Sequence, residues 1–137
     1  MSDVSITPGN VVAGSDAVIN RSGIAGETIT AGQPVYLDSA TKKFLKADCN
    51  SATAAARQAG GIALNGASLN QPLAVHKSGS LTIGGTLVAG NPYYLSSTAG
   101  GIKPAADLAT GDYICLLGLA ASTTVLNVDI QFPGVVK

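Results

Sequence analysis

The chain has 137 residues, of which 46% are hydrophobic and only 12% are charged, and its eight basic residues balance eight acidic ones. This length suits one domain, and the zero net charge argues against a protein that binds nucleic acid through a basic surface. Four Tyr, two Phe and no Trp also make base-stacking platforms unexpected. No apolar run approaches the roughly 20 residues of a membrane span, and the polar N-terminus does not resemble a signal peptide. We therefore expect synthesis in the cytoplasm, with Cys49 and Cys115 as free thiols.

Residues 1–26 differ from the rest of the chain, because their apolar residues are spread among glycines without a regular period. The piece 5–10 is typical of a short extended segment that ends in a turn. Such a segment cannot form a core of its own, so it is either an edge strand of the domain or an extended arm that reaches a partner. In the second case the docking residues are the apolar ones, Val4, Ile6, Val11 and Val12.

From residue 27 onward, short β-prone runs alternate with turn residues, which predicts an all-β domain over 27–137. One stretch departs from this pattern: Asn50 or Ser51 can cap a helix and Gly60 can end it. The sequence therefore predicts one short helix of about two turns over 50–59.

The same turn-and-strand stretch occurs twice. Residues 31–39 read AGQPVYLDS and residues 89–97 read AGNPYYLSS. In both halves the order is turn, strand, polar hairpin, return strand, linker, buried strand and final strand. This order predicts an internal duplication, with half-repeats at about 27–84 and 85–132, in a small β-barrel or sandwich.

The residues that carry chemistry form no recognisable constellation. His76 is the only histidine, and we interpret it as a strand residue on a polar face. The acidic residues are scattered without metal-binding or acid–base spacing: Asp3, Asp16, Glu27, Asp38, Asp48, Asp107, Asp112 and Asp129. Nucleophile-elbow and phosphate-loop motifs are absent from the sequence. We therefore expect no enzyme activity, cofactor, metal or small-molecule substrate.

Several glycine- and proline-rich stretches occur in a familiar order: 6–14 (ITPGNVVAG), 26–38 (GETITAGQPVYLD), 60–65 (GGIALN) and 90–96 (GNPYYLS). Together they resemble the capsid decoration, or cement, proteins of tailed bacteriophages. The resemblance implies a small β-barrel that forms a homotrimer and binds the major capsid protein on the outside of the virion shell. It also implies an N-terminal segment that reaches neighbouring subunits, and residence in the host cytoplasm before assembly. No catalytic or ligand-binding residue follows from it.

Two other interpretations remain open at this point. The chain could be a module of a phage tail fibre, neck or baseplate that contacts a host receptor, which would favour exposed aromatic residues. Its tyrosines, however, lie in strand-like runs that predict core positions: Tyr36, Tyr93, Tyr94 and Tyr113. A small enzyme or ligand-binding barrel would need buried polar groups converging on a pocket, and the sequence offers no such cluster.

Overall fold

The computed structural model describes residues 3–137, and its regular structure is almost entirely β, which confirms the predicted class. Its ten strands are β1 (Val12–Ala13), β2 (Val18–Ile24), β3 (Pro34–Leu37), β4 (Phe44–Lys46), β5 (Gly61–Ala63), β6 (Pro72–Thr82), β7 (Pro92–Leu95), β8 (Ile102–Pro104), β9 (Leu116–Ala120) and β10 (Val125–Gln131). Three 3₁₀ turns accompany them: Pro8–Asn10, Ala54–Arg57 and Ala105–Asp107. Among the described residues, no helix has the length and apolar character needed to cross a membrane.

The strand order carries the predicted duplication. Along the main path of the sheet it is β4-β3-β5-β6-β10-β9-β7-β8. The first four strands and the last four are the same arrangement in reverse, so β4 corresponds to β8, β3 to β7, β5 to β9 and β6 to β10. All of these neighbours pair antiparallel. The halves therefore meet along β6 and β10.

The two Ala-Gly-x-Pro stretches make the same turn. Gly32 and Gly90 both have positive φ, at 92° and 85°, a conformation that glycine adopts without steric cost. The Ala63 amide donates to the Gln33 carbonyl over 2.9 Å, and the second half has the matching bond from Ala120 to Asn91, also 2.9 Å. The repeated sequence thus encodes a repeated backbone geometry.

Strand register extends this equivalence residue by residue. Val35 opposes Lys46 in the first hairpin and Tyr93 opposes Pro104 in the second, so both hairpins keep the 58-residue spacing of the repeat. Pro34 opposes Ile62 on β5, and Pro92 opposes Leu119 on β9. Ile62 and Leu119 are therefore equivalent positions.

The long strand β6 holds the N-terminal segment to the rest of the fold. Its residues 75–76 pair with β5 on one side and with β2 on the other, while its last residues pair with both β10 and β1. Gly79, at φ 95°, lies between these two regions. A Cβ there would lie 2.6 Å from the Asp16 carbonyl oxygen, so the close approach of the N-terminal segment requires glycine.

Two hydrophobic cores result. The smaller lies in the first half and comprises Ala25, Ile29, Val35, Phe44, Ala63, Ala67, Leu73 and Val75. The Gly26 amide donates to the Phe44 carbonyl over 2.8 Å and joins the end of the N-terminal segment to edge strand β4. The larger core combines second-half residues, such as Leu95 and Leu126, with first-half residues such as Tyr36 and Ile62.

The predicted helix over 50–59 is shorter than expected. Only Ala54–Arg57 is helical, as a single 3₁₀ turn, and its flanking residues Thr53 and Gln58 are extended. Ala56 is the one buried residue of the turn, and no side chain caps its start. A short segment without an apolar face to pack has little to offset the cost of helix nucleation.

Candidate partner-binding surfaces

Of the four apolar residues predicted to contact a partner, three pack on their own domain in the single chain. Val4 and Ile6 are half-buried against the larger core, and Val11 is 9% exposed. Val12, on β1, is 58% exposed. Among these four positions, Val12 is therefore the one that presents a large apolar surface outward.

Residues 4–7 occupy a position that has no counterpart in the first half. The Val4 amide donates to the Ile102 carbonyl over 2.7 Å, and the Thr7 amide donates to the Gly84 carbonyl over 2.9 Å. The first-half equivalents of Ile102 and Gly84 are Phe44 and Gly26, which bond directly to each other. The N-terminal segment is thus inserted between two backbone stretches that touch in the other half.

A buried ion pair lies under this inserted segment. Lys103 Nζ is 2.6 Å from Asp112 Oδ2, and each side chain is 5% exposed. The Ala109 amide donates to the same carboxylate oxygen over 2.9 Å. Burial alone would raise the pKa of Asp112, but the hydrogen bonds from Lys103 and Ala109 and the nearby positive charge lower it below its usual value. Both charges are used within the fold, so the pair holds β8 to the loop before β9.

His76 is completely buried, which corrects its predicted placement on a polar face. At this residue β6 is an interior strand of the sheet, paired with β2 on one edge and with β5 on the other. One ring nitrogen, Nε2, lies 3.0 Å from the Gly79 carbonyl oxygen. This contact ties His76 to the irregular region of β6, and its ring is not available at the surface.

The two thiols and the acidic residues also form no site. Cys49 and Cys115 are free and buried; burial and the neighbouring Asp112 raise the pKa of Cys49 to about 12, and burial raises the pKa of Cys115. Within residues 3–137, no group of three His, Cys, Asp or Glu side chains is arranged to hold a metal ion.

The surface instead offers apolar side chains from several strands and loops. In the described part of the chain, eight large apolar residues are about half exposed or more: Val12, Val18, Leu37, Leu69, Val88, Leu119, Val135 and Val136. An open groove of about 310 Å³, lined by Tyr94, Ile114, Leu116, Gln131, Phe132 and Pro133, continues into a smaller one lined by Leu116, Gly118, Leu119, Asn127 and Asp129. The alternation of apolar and polar residues in the sequence indicates which residues lie on the same face of a strand. It does not indicate which of the two faces of that strand remains exposed in the fold.

Solvent-filled clefts also flank the N-terminal segment. One, of about 500 Å³, is lined by Asp3, Val4, Ser5, Ser97, Thr98, Lys103 and Asp107. Another, of about 330 Å³, lies against the same three N-terminal residues together with Thr86, Val88, Tyr93 and Pro104. Lys103, in the larger cleft, already pairs with Asp112. Neither the protein-family models nor the curated protein sequences contain a match to this chain.

Proposed function

We propose that this chain is a structural protein of a tailed-bacteriophage virion that binds the outside of the assembled capsid and stabilises it. The observation that carries the proposal is the spread of exposed apolar residues over different strands and loops of a duplicated β fold, represented by Val12, Leu37 and Leu119. A component that touches several neighbours in an assembly needs many contact surfaces. A ligand-binding protein needs one pocket with convergent polar groups.

The proposed role is to stabilise the shell by binding to it, and the size of this stabilisation follows from mass action. A protein that binds the closed shell but not free capsid subunits stabilises the shell by about 2.7 kcal/mol per site at a hundredfold excess over Kd. A homotrimer that engages three sites on the major capsid protein at once gains avidity without new kinds of contact. With zero net charge, such binding rests on apolar contact and is only weakly sensitive to salt.

The test uses shells assembled from the major capsid protein without this chain. Co-sedimentation measures how much added protein remains on the shells. We expect saturable binding by the wild type and a clear loss with Val12→Asp, which places a charge on the exposed predicted contact. Leu69→Asp is the matched control, because Leu69 is also 58% exposed but lies in the loop between β5 and β6.

Failure of the wild type to bind shells would contradict the proposal. The same experiment repeated with purified tails then separates the alternatives. Binding there would favour a tail fibre, neck or baseplate module.

A further inference from the structure

The two halves of the chain contact each other through one specific arrangement. The turn of the second hairpin, residues 96–101, lies on the first half just after β4. The Gly100 amide donates to the Ala47 carbonyl over 2.8 Å, and the Cys49 amide donates to the Ser96 carbonyl over 3.0 Å. The guanidinium of Arg57 also lies 4.2 Å from the centre of the Tyr113 ring. A hairpin of one half is therefore docked on a face of the other.

The second half has an equivalent of the face that receives this hairpin, and that equivalent is exposed. In the first half, Tyr36 is 8% exposed and Ile62 is completely buried, both in the core shared by the halves. Their second-half equivalents by strand register are Tyr94, which is half-buried, and Leu119, which is 52% exposed. We call Tyr94, Leu116 and Leu119 the open face.

The hairpin that would fill this face is free in the first half. Leu95, at the end of β7, is completely buried, whereas its equivalent Leu37 is 51% exposed. Gly100 is buried in the docked turn, whereas its equivalent Lys42 is exposed. Both residues have positive φ, 78° at Gly100 and 60° at Lys42, so the two turns share their backbone form. We call residues 37–43 the free hairpin.

Each chain therefore has two surfaces that are not used within the chain: the free hairpin, which matches the docked hairpin, and the open face, which matches the face that receives it. We propose that the free hairpin of one copy docks on the open face of the next copy and repeats between chains the contact that joins the halves within a chain. Such a contact is heterologous, because two different surfaces meet, and it generates a ring when its rotation closes.

Charge supports this pairing. The free hairpin carries Lys42 and Lys43 against one acidic residue, Asp38, while Asp129 lines the groove at the open face. Opposite charges at the rim of an interface favour the correct pairing and its rate of formation. The inference concerns self-assembly in solution and holds whether or not the assembly binds a capsid.

Light scattering after size-exclusion chromatography at micromolar concentration tests the proposal. We expect an oligomer for the wild type and particles of one chain, 13.5 kDa, for Leu37→Asp and for Leu119→Asp. A mixture of the two variants should form a particle of two chains, because one retains the open face and the other retains the free hairpin. Val12→Asp is the control and should assemble as the wild type does.

A wild-type monomer, variants that still assemble, or a mixture that stays monomeric would each overturn the proposal. A second test does not depend on how the aspartate variants fold. By equivalence with Gly100 and Ala47, Lys42 of one copy and Ala105 of the next should be neighbours, and both residues are exposed. Oxidation of the Lys42→Cys/Ala105→Cys variant should therefore join each chain to the next by a disulfide bond. Neither single variant should form chains linked in succession. Absence of linked chains in the double variant would contradict the docking geometry.

Discussion

Replacing Lys103 with methionine tests the buried ion pair with Asp112 that holds β8 to the following loop. Methionine keeps most of the side-chain volume but removes the charge. It leaves a carboxylate that is 5% exposed and to which the Ala109 amide still donates a hydrogen bond. Removing one partner of a buried ion pair costs about 3–5 kcal/mol, because the other charge stays desolvated and uncompensated. We expect a loss of that size in the free energy of unfolding at neutral pH.

The pH dependence gives the prediction a second, independent readout. The folded-state pKa of Asp112 lies below its usual value of 3.8, so the pair contributes stability above that pH and loses it as the pH falls through the lowered pKa. In Lys103→Met, burial remains while the stabilising cation is gone, so the pKa of Asp112 should rise. The stability difference between wild type and variant should therefore shrink as the pH falls from the raised pKa of the variant through the lowered pKa of the wild type.

Urea unfolding followed by far-ultraviolet circular dichroism measures both effects, at a fixed protein concentration because self-assembly adds to apparent stability. The double variant Lys103→Met/Asp112→Leu is the control. It removes both charges, and we expect it to recover most of the stability lost by the single variant. A loss below about 1 kcal/mol for Lys103→Met, or a double variant no more stable than the single, would refute the assigned role.

Two further predictions follow from the turns and the thiols. Gly90→Ala should cost about 1–2 kcal/mol of unfolding free energy, since its positive φ disfavours a side chain while the surrounding space is open. Gly32→Ala should cost more, because its Cβ would also lie 2.7 Å from Ile6 Cγ2; equal costs in thermal or urea unfolding would show that Ile6 does not pack there. Cys49 and Cys115 should not react with an aromatic disulfide reagent at mildly alkaline pH until the chain is unfolded, given their burial and raised pKa values; prompt reaction of the native protein would contradict this.

The duplication was predictable from sequence because it depends on local backbone chemistry. Glycine at 32 and 90 permits the left-handed turn conformation, and proline at 34 and 92 opens each following strand. These requirements act within a few residues, so they leave a visible repeat. Strand order and hairpin register then follow from the same pattern in each half.

Local sequence patterns do not predict burial that depends on contacts with segments far away in the sequence. His76 looks like a surface strand residue in sequence, yet it is completely buried on an interior strand that pairs with both β2 and β5. Ile62 and Leu119 are equivalent in the repeat but differ completely in exposure, because only the first receives the other half of the chain. The sequence shows the two copies as alike, whereas the contact between them makes their surfaces different.

The arm residues illustrate the same limit. Val4, Ile6, Val11 and Val12 share composition and position, and nothing local separates them. Hydrogen bonding of the segment to Ile102 and Gly84 turns Val4 and Ile6 toward the larger core and leaves Val12 outward on β1. A partner-contact prediction made from apolar character alone therefore cannot rank the four.

Cryo-electron microscopy of phage virions assembled in the presence of this chain tests the central proposal most directly. We predict density for the ten-stranded domain on the outer surface of the shell, at contacts between capsomers, in groups of three around a common axis. Density for the domain in the tail, neck or baseplate, or a shell surface without it, would contradict the proposed capsid-stabilising function.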